Sequence, residues 1–191
     1  HKEIPRGLGC YAREAGLIDH SLWRSASWLV VAGLAVAGPY AVFAGDAVEG
    51  ASLLGVALLG GFALHFQRAL PSSIMLLLIV AAAVNAAGYV LGLWRERTLF
   101  DEAVHAFTTF AGMLALLWVA ADRTRLRNEM SALGIVASAL FAGLVLGLVW
   151  EGFEWMIGII GNRRDTLIDL AMDSIGAVAA GILFAIHQAR S

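Results

Sequence analysis

Apolar residues run through this chain in six long blocks, near residues 27–45, 51–67, 72–94, 100–121, 131–158 and 167–187. A bilayer hydrocarbon core about 30 Å thick takes about 20 helical residues to cross. All the blocks but the second meet that length comfortably. The 51–67 block is short, so it either sits thinly in the bilayer or extends past Arg68. Pro71 suits the first turn of the third helix. The polar connections are short, which makes sequential neighbours antiparallel. The pattern predicts an all-α fold: a polytopic membrane helix bundle of about six transmembrane helices, with residues 27–191 as one domain.

Residues 1–26 break the pattern. Tyr11, Ala15, Ile18 and Leu22 recur at helical spacing, with Arg13, Glu14, Asp19 and Arg24 elsewhere around the wheel. This is the signature of an N-terminal interfacial helix lying in the headgroup layer; a partly ordered tail is the alternative. A cleavable signal is not expected, because the first apolar run lies too far in and lacks a small-residue cleavage site. Composition agrees with the membrane reading. The chain is 60% hydrophobic and 15% charged, where a soluble domain has about 45–50% and about 25%. A net charge of -2, with no Lys/Arg-rich block, excludes nucleic acid as a partner. Cys10 is the single cysteine, so neither an intrachain disulfide nor a thiolate metal cluster can form.

Lys and Arg set the orientation. With the N-terminus in the cytoplasm, the inner side holds Lys2, Arg6, Arg13, Arg24, Arg68, Arg123, Arg125, Arg127 and Arg190, and the outer side Arg95, Arg97, Arg163 and Arg164. Nine against four predicts a multi-pass protein of a bacterial-type cytoplasmic (inner) membrane with both termini cytoplasmic. Trp23, Trp28 and Trp118 then fall at inner ends, and Trp94, Trp150 and Trp155 near outer ends, as interfacial aromatic belts do.

Carboxylates interrupt this apolar scheme at one level. Glu151 and Glu154 close the fifth block; Asp165, Asp169 and Asp173 open the sixth; Asp101 and His105 open the fourth. Residues three or four apart share a helix face, so each set points one way, and all three lie at the predicted outer end. An ionised side chain at mid-membrane costs about 2.5–3.5 kcal/mol, and clustering adds repulsion. Protons, arginines or a bound cation must offset both. Arg163 and Arg164 sit at the level of the shallow Asp101 and Asp165, and they are also candidates to bind a headgroup. The deeper Glu151, Asp169 and Asp173 have no basic residue in their own segments. The expected metal ligands are therefore His105, Glu151, Glu154, Asp169 and Asp173, with Asp101, Asp165, Asn85 and Tyr89 as additional candidates. Oxygen and imidazole donors suit Mg, Mn, Ca, Fe or Zn. A metal-free network of carboxylic acids, His105 and water is the structural alternative. Gly143 and Gly147 below Glu151, Thr108 and Gly112 after His105, and Ala177 and Ala180 after Asp173 predict close packing of helices four, five and six.

These same residues carry a resemblance. Phe100-Asp-Glu-Ala-Val-His105 resembles the Asp-x3-His helix start of VanZ-like and YjdF-like membrane proteins. Glu151-Gly-Phe-Glu-Trp155 resembles the Glu-x2-Glu-Trp of the YjdF-like group, and Asp165-Thr-x2-Asp169-x3-Asp173 its Asp-Thr-x2-Asp run. The likeness covers residues 100–181. Glu154 stands where VanZ-like proteins usually carry an amide, and the loop before Asp165 is shorter than in YjdF-like proteins. The resemblance implies a shared outward-facing site and no assigned reaction. The spacing Gly161-x3-Asp165-x3-Asp169 also matches half of the CDP-alcohol phosphotransferase motif, but the Asp-x2-Asp-Gly half is missing from the chain.

Three functions compete. One is a metal-dependent enzyme acting on an envelope lipid or lipid-linked phosphate. The second is a non-enzymatic membrane subunit or scaffold with a structural acidic network, whose partner is a copy of itself or another membrane protein. The third is a proton or cation carrier, disfavoured because the inner halves of helices five and six lack deep charge. The topology has a direct test. A cysteine at Asn162 is expected to react with an impermeant label on intact spheroplasts, and one at Arg125 only after permeabilisation. Reversed labelling would place the acidic end in the cytoplasm.

Overall fold

The computed structural model describes residues 20–45, 47–65, 70–93, 99–123, 130–157 and 163–190. They form six helices: α1 (His20–Phe43), α2 (Ala47–His65), α3 (Ser72–Val90), α4 (Phe100–Arg123), α5 (Ala132–Ile157) and α6 (Arg163–Ala189). No strand occurs among the described residues. The stretch expected to lie in the headgroup layer falls mostly outside them, but residues 20–26 continue without a break into α1.

Four helices are long and apolar enough to cross a membrane: Ser21–Phe43, Phe100–Ala121, Ala132–Gly152 and Arg163–Ala189. Helices α2 and α3 have 19 residues each, about 28 Å at 1.5 Å per residue, close to the hydrocarbon thickness. Helix α2 begins at Ala47, ahead of the apolar run that starts at residue 51; the expected extension past Arg68 falls on residues outside the described ones. Large apolar side chains such as Phe43, Leu146, Leu148, Val149 and Ile175 stand exposed on the outside of the bundle. Lipid is the solvent in which that surface is stable.

Local chemistry sets several of the ends. The Ser131 hydroxyl accepts a hydrogen bond of 3.1 Å from the Gly134 N–H, the standard N-cap solution for an orphan donor. Pro71 sits one residue before α3 and offers its carbonyl to Met75 N at 3.1 Å, so it occupies the cap rather than the first turn. Gly45 turns the chain from α1 into α2 at φ 101°, a conformation costly for residues with a Cβ. Two serine hydroxyls donate within their own helices, Ser27 to the Trp23 carbonyl and Ser174 to the Leu170 carbonyl.

The helices pack as two groups of three. Val31, Leu34, Leu53, Ala57, Leu64, Met75 and Ile79 form the aliphatic core of α1–α3. Met113, Leu114, Ile135, Ala139, Ala177, Ala180 and Phe184 form that of α4–α6, and α3 packs on α4 to join the halves. In the second half α6 lies between α4 and α5, which touch each other only slightly. The close packing expected from small residues is present and depends on them. A Cβ at Gly176 would collide with the Ala106 carbonyl of α4, and one at Gly143 with Ala177 of α6. Gly112 faces open space and makes no such contact.

Gly176→Ala should therefore force α4 and α6 apart and destabilise the protein by about 1–3 kcal/mol, as overpacking does. Gly112→Ala should be neutral or stabilise by up to about 1 kcal/mol through helix propensity. Melting in detergent checks both, and equal effects would contradict the packing.

Candidate functional site

Three ladders of four-residue steps converge at one end of the second half. Helix α4 presents Asp101, His105 and Thr109; α6 presents Asp165, Asp169 and Asp173; α5 presents Gly143, Gly147 and Glu151. Four residues advance a helix by about 400°, so each ladder stays on nearly one face. Because α6 lies between the other two helices, its acidic ladder meets both.

Asp173 is the joint. Its Oδ1 accepts a 2.6 Å hydrogen bond from the Thr109 hydroxyl and lies 3.3 Å from His105 Nδ1. An oxygen already accepting from Thr109 is an acceptor toward the imidazole too, so Nδ1 donates. On its other side, Asp173 Oδ2 lies where a Cβ on Gly147 of α5 would be. A glycine is thus required for the carboxylate to enter between the helices. Asp173 is 3% exposed, and its interactions run across α4 and α6.

His105, 9% exposed, turns its other nitrogen outward along the ladder. Nε2 lies 3.7 Å from Asp101 Oδ1, beyond a hydrogen bond. Asp169, 5% exposed, completes the group: one ligand atom from each of Asp101, His105 and Asp169 lies within 4.8 Å of the others. Two donors on opposite sides of an ion, each at about 2.4 Å, are separated by about that distance. The three are close enough to one another for one cation to lie among them.

Glu151 is within electrostatic reach of His105, Asp173, Asp101 and Asp169 but stands apart from that group. It is 3% exposed, with both carboxylate oxygens out of solvent, and the Thr166 hydroxyl of α6 lies beside it. Both line a groove with Leu148, Gly152, Trp155 and Met156.

The remaining expectations separate. Asn85 donates a 3.1 Å hydrogen bond from Nδ2 to the Thr108 hydroxyl, which ties α3 to α4 and leaves Thr109, not Thr108, on the Asp173 side. Asp165, Arg163 and Arg164 are exposed at the start of α6. The side chains of Glu154 and Tyr89 lie outside the described residues, as do Arg95, Arg97 and Asn162. Thr109 and Thr166 are the site residues that the sequence reading passed over. Thr109 had a signal, since it stands four residues after His105 on the same face; Thr166 had only its place between Asp165 and Asp169.

A family model described as "Predicted membrane protein (DUF2238)" covers residues 22–190. No curated protein matches the chain, and no solved structure does.

Proposed function

The chain belongs to the DUF2238 family of predicted membrane proteins, and on that footing we propose that it holds a divalent cation between α4 and α6, at the extracytoplasmic end of a bacterial inner-membrane bundle. The supporting observation is the two-sided setting of His105. With Asp173 accepting from Nδ1, a neutral imidazole keeps its proton there, and Nε2 carries the lone pair toward Asp101 and Asp169. A carboxylate fixing the back of a ligating histidine is the common second layer of metal sites. Asp101, His105 Nε2 and Asp169 would then be the protein ligands, and Asp173 a positioning residue held by Thr109. The donors are hard oxygens and one imidazole, suited to Mg, Mn, Ca, Fe or Zn.

Three protein ligands leave coordination positions for water or a phosphate oxygen. A cation in that setting activates water or clamps a phosphoryl group, so the reading extends to a metal-dependent enzyme acting on an envelope lipid or lipid-linked phosphate. Arg163 and Arg164, exposed at the start of α6, would attract the headgroup. The likeness of the three motifs to YjdF-like and VanZ-like proteins belongs to the same proposal.

A second reading has its own observation. The Thr109–Asp173–His105 chain joins two helices by direct hydrogen bonds, which a purely structural network in a scaffold subunit also requires. The two readings differ in their response to metal. Under the cation reading, chelator lowers the melting temperature in detergent and added Mn²⁺ or Zn²⁺ restores it, because binding to the folded state contributes RT ln(1 + [L]/Kd), about 2.7 kcal/mol at a hundredfold excess over Kd. Asp169→Asn should abolish this response, and Asp173→Asn should weaken metal affinity by about 10–100-fold. Melting that ignores chelator and divalent ions, with Asp169→Asn at least as stable as wild type, would leave the scaffold reading in its place.

A further inference from the structure

Asn85 and Thr108 form a polar pair that the cation site does not use. Their 3.1 Å hydrogen bond joins α3 to α4 and is exposed, although Thr108 lies within the membrane-spanning length Phe100–Ala121 and Asn85 within the apolar stretch Ser72–Gly88. Neither side chain makes another hydrogen bond among the described residues. An amide brings two N–H donors and a hydroxyl one O–H. If the amide donates, one N–H and the O–H are left over. If it is turned and accepts from the hydroxyl, both N–H groups are left over. Either way two donors go unused at a surface without water, where each is costly.

The pair stands on the same stripe of α4 as the outermost member of the cation group. Thr108 follows Asp101 by seven residues, which returns it to nearly the same face about 10.5 Å further along the helix. It follows His105 by three, about 4.5 Å. Asp101 is partly exposed and Thr108 exposed. Next along the stripe, Gly112 faces open space, since a Cβ there would meet nothing within 4 Å, and Leu116 is exposed. An open strip therefore runs from the cation group, past two unused donors, onto the apolar surface of the bundle.

We infer that this strip seats a glycerophospholipid, with a phosphate oxygen on the cation among Asp101, His105 and Asp169, the ester carbonyls accepting from Asn85 and Thr108, and an acyl chain in the notch at Gly112. The phosphate contact rests on the cation reading above; the ester contacts rest on the α3–α4 pair alone. A glycerophospholipid carries the matching groups in the matching order. Its phosphate comes first, its ester carbonyls follow by the length of the glycerol, and a carbonyl accepts without donating. An isoprenoid-linked phosphate has only hydrocarbon beyond the phosphate and leaves both donors unused, and inorganic phosphate does the same. The substrate class is thereby narrowed to phosphate lipids esterified on glycerol.

The test uses the full chain in detergent with Mn²⁺, titrated with ester-linked phosphatidic acid, its ether-linked counterpart of the same chain length, polyprenyl phosphate or inorganic phosphate, with bound ligand counted by native mass spectrometry. The ester-linked lipid should bind about tenfold tighter than the ether-linked one, the worth of two neutral hydrogen bonds, and tighter than either other probe. Asn85→Leu should lower that ratio, and Asn85→Leu combined with Thr108→Val should bring it to one. The double variant replaces both partners by apolar groups and leaves no orphan, so it should keep its melting temperature. Gly112→Leu keeps both donors and fills the notch; it should weaken every lipid and spare inorganic phosphate. EDTA should weaken all four probes and leave the ester-to-ether ratio unchanged, so the two readings fail separately. Binding that ignores EDTA overturns the cation reading and the phosphate contact. A wild-type ratio of one, or a ratio that survives the double substitution, overturns the ester contacts. Tighter binding of polyprenyl phosphate than of the ester-linked lipid overturns the substrate class. A dimer that Gly112→Leu dissociates would assign the strip to a second copy and overturn the inference as a whole.

Discussion

A carboxylate buried between helices in a bilayer is tolerable only when its acceptors are used, and the second half of this bundle is arranged around that constraint. Asp173 meets Thr109 and His105 on α4 through one oxygen, and lies against Gly147 of α5 with the other. Without a hydrophobic drive between helices in lipid, association depends on close packing and on such hydrogen bonds. The glycines and the aspartate therefore act together. Gly176 brings the α6 backbone onto α4, which places Asp173 within reach of His105, and Gly147 vacates the volume that its carboxylate occupies.

From that joint the chemistry divides by depth. His105 meets Asp173 through Nδ1, and its Nε2 lies 3.7 Å from Asp101 Oδ1, with Asp169 completing the group. Glu151 of α5 is buried on the other side of α6, beside Thr166. The acidic ladder of α6 thus meets α4 through the Asp173–His105 and Asp173–Thr109 contacts and α5 where Asp173 lies against Gly147. The first half contributes mainly support: its core is aliphatic, and the Asn85–Thr108 hydrogen bond anchors α3 against the outer side of α4.

The helices were legible because the bilayer leaves the backbone little choice. Runs of apolar residues of spanning length read as helices, and each of the six blocks coincides with one. Their starts were less legible: α1 begins at His20 rather than near 27, α2 at Ala47 rather than near 51 and α6 at Arg163 rather than near 167, because a helix runs on through polar residues that end a hydropathy count. For the site, four-residue spacing was enough to group Asp101 with His105 and Asp165 with Asp169 and Asp173. It could not say which of these residues touch one another. That depends on which helix lies between the others, and a linear sequence does not state that α6 separates α4 from α5. The same gap applies to Glu151: its spacing from Glu154 put it on the acidic end of α5, but not which residue of α6 it faces, which is Thr166. Thr109 escaped notice for a different reason: a single threonine in an apolar helix is unremarkable until the residue opposite is known to be Asp173.

The central claim is that His105 directs its Nε2 at a cation shared with Asp101 and Asp169. Pulsed electron paramagnetic resonance on protein loaded with Mn²⁺ reads the ligating atoms themselves. The account predicts one bound Mn²⁺ whose spectrum carries the nitrogen coupling of a directly bound imidazole, and loss of that coupling in His105→Gln. Bound Mn²⁺ without nitrogen coupling in the wild type, or coupling that persists in His105→Gln, would contradict it.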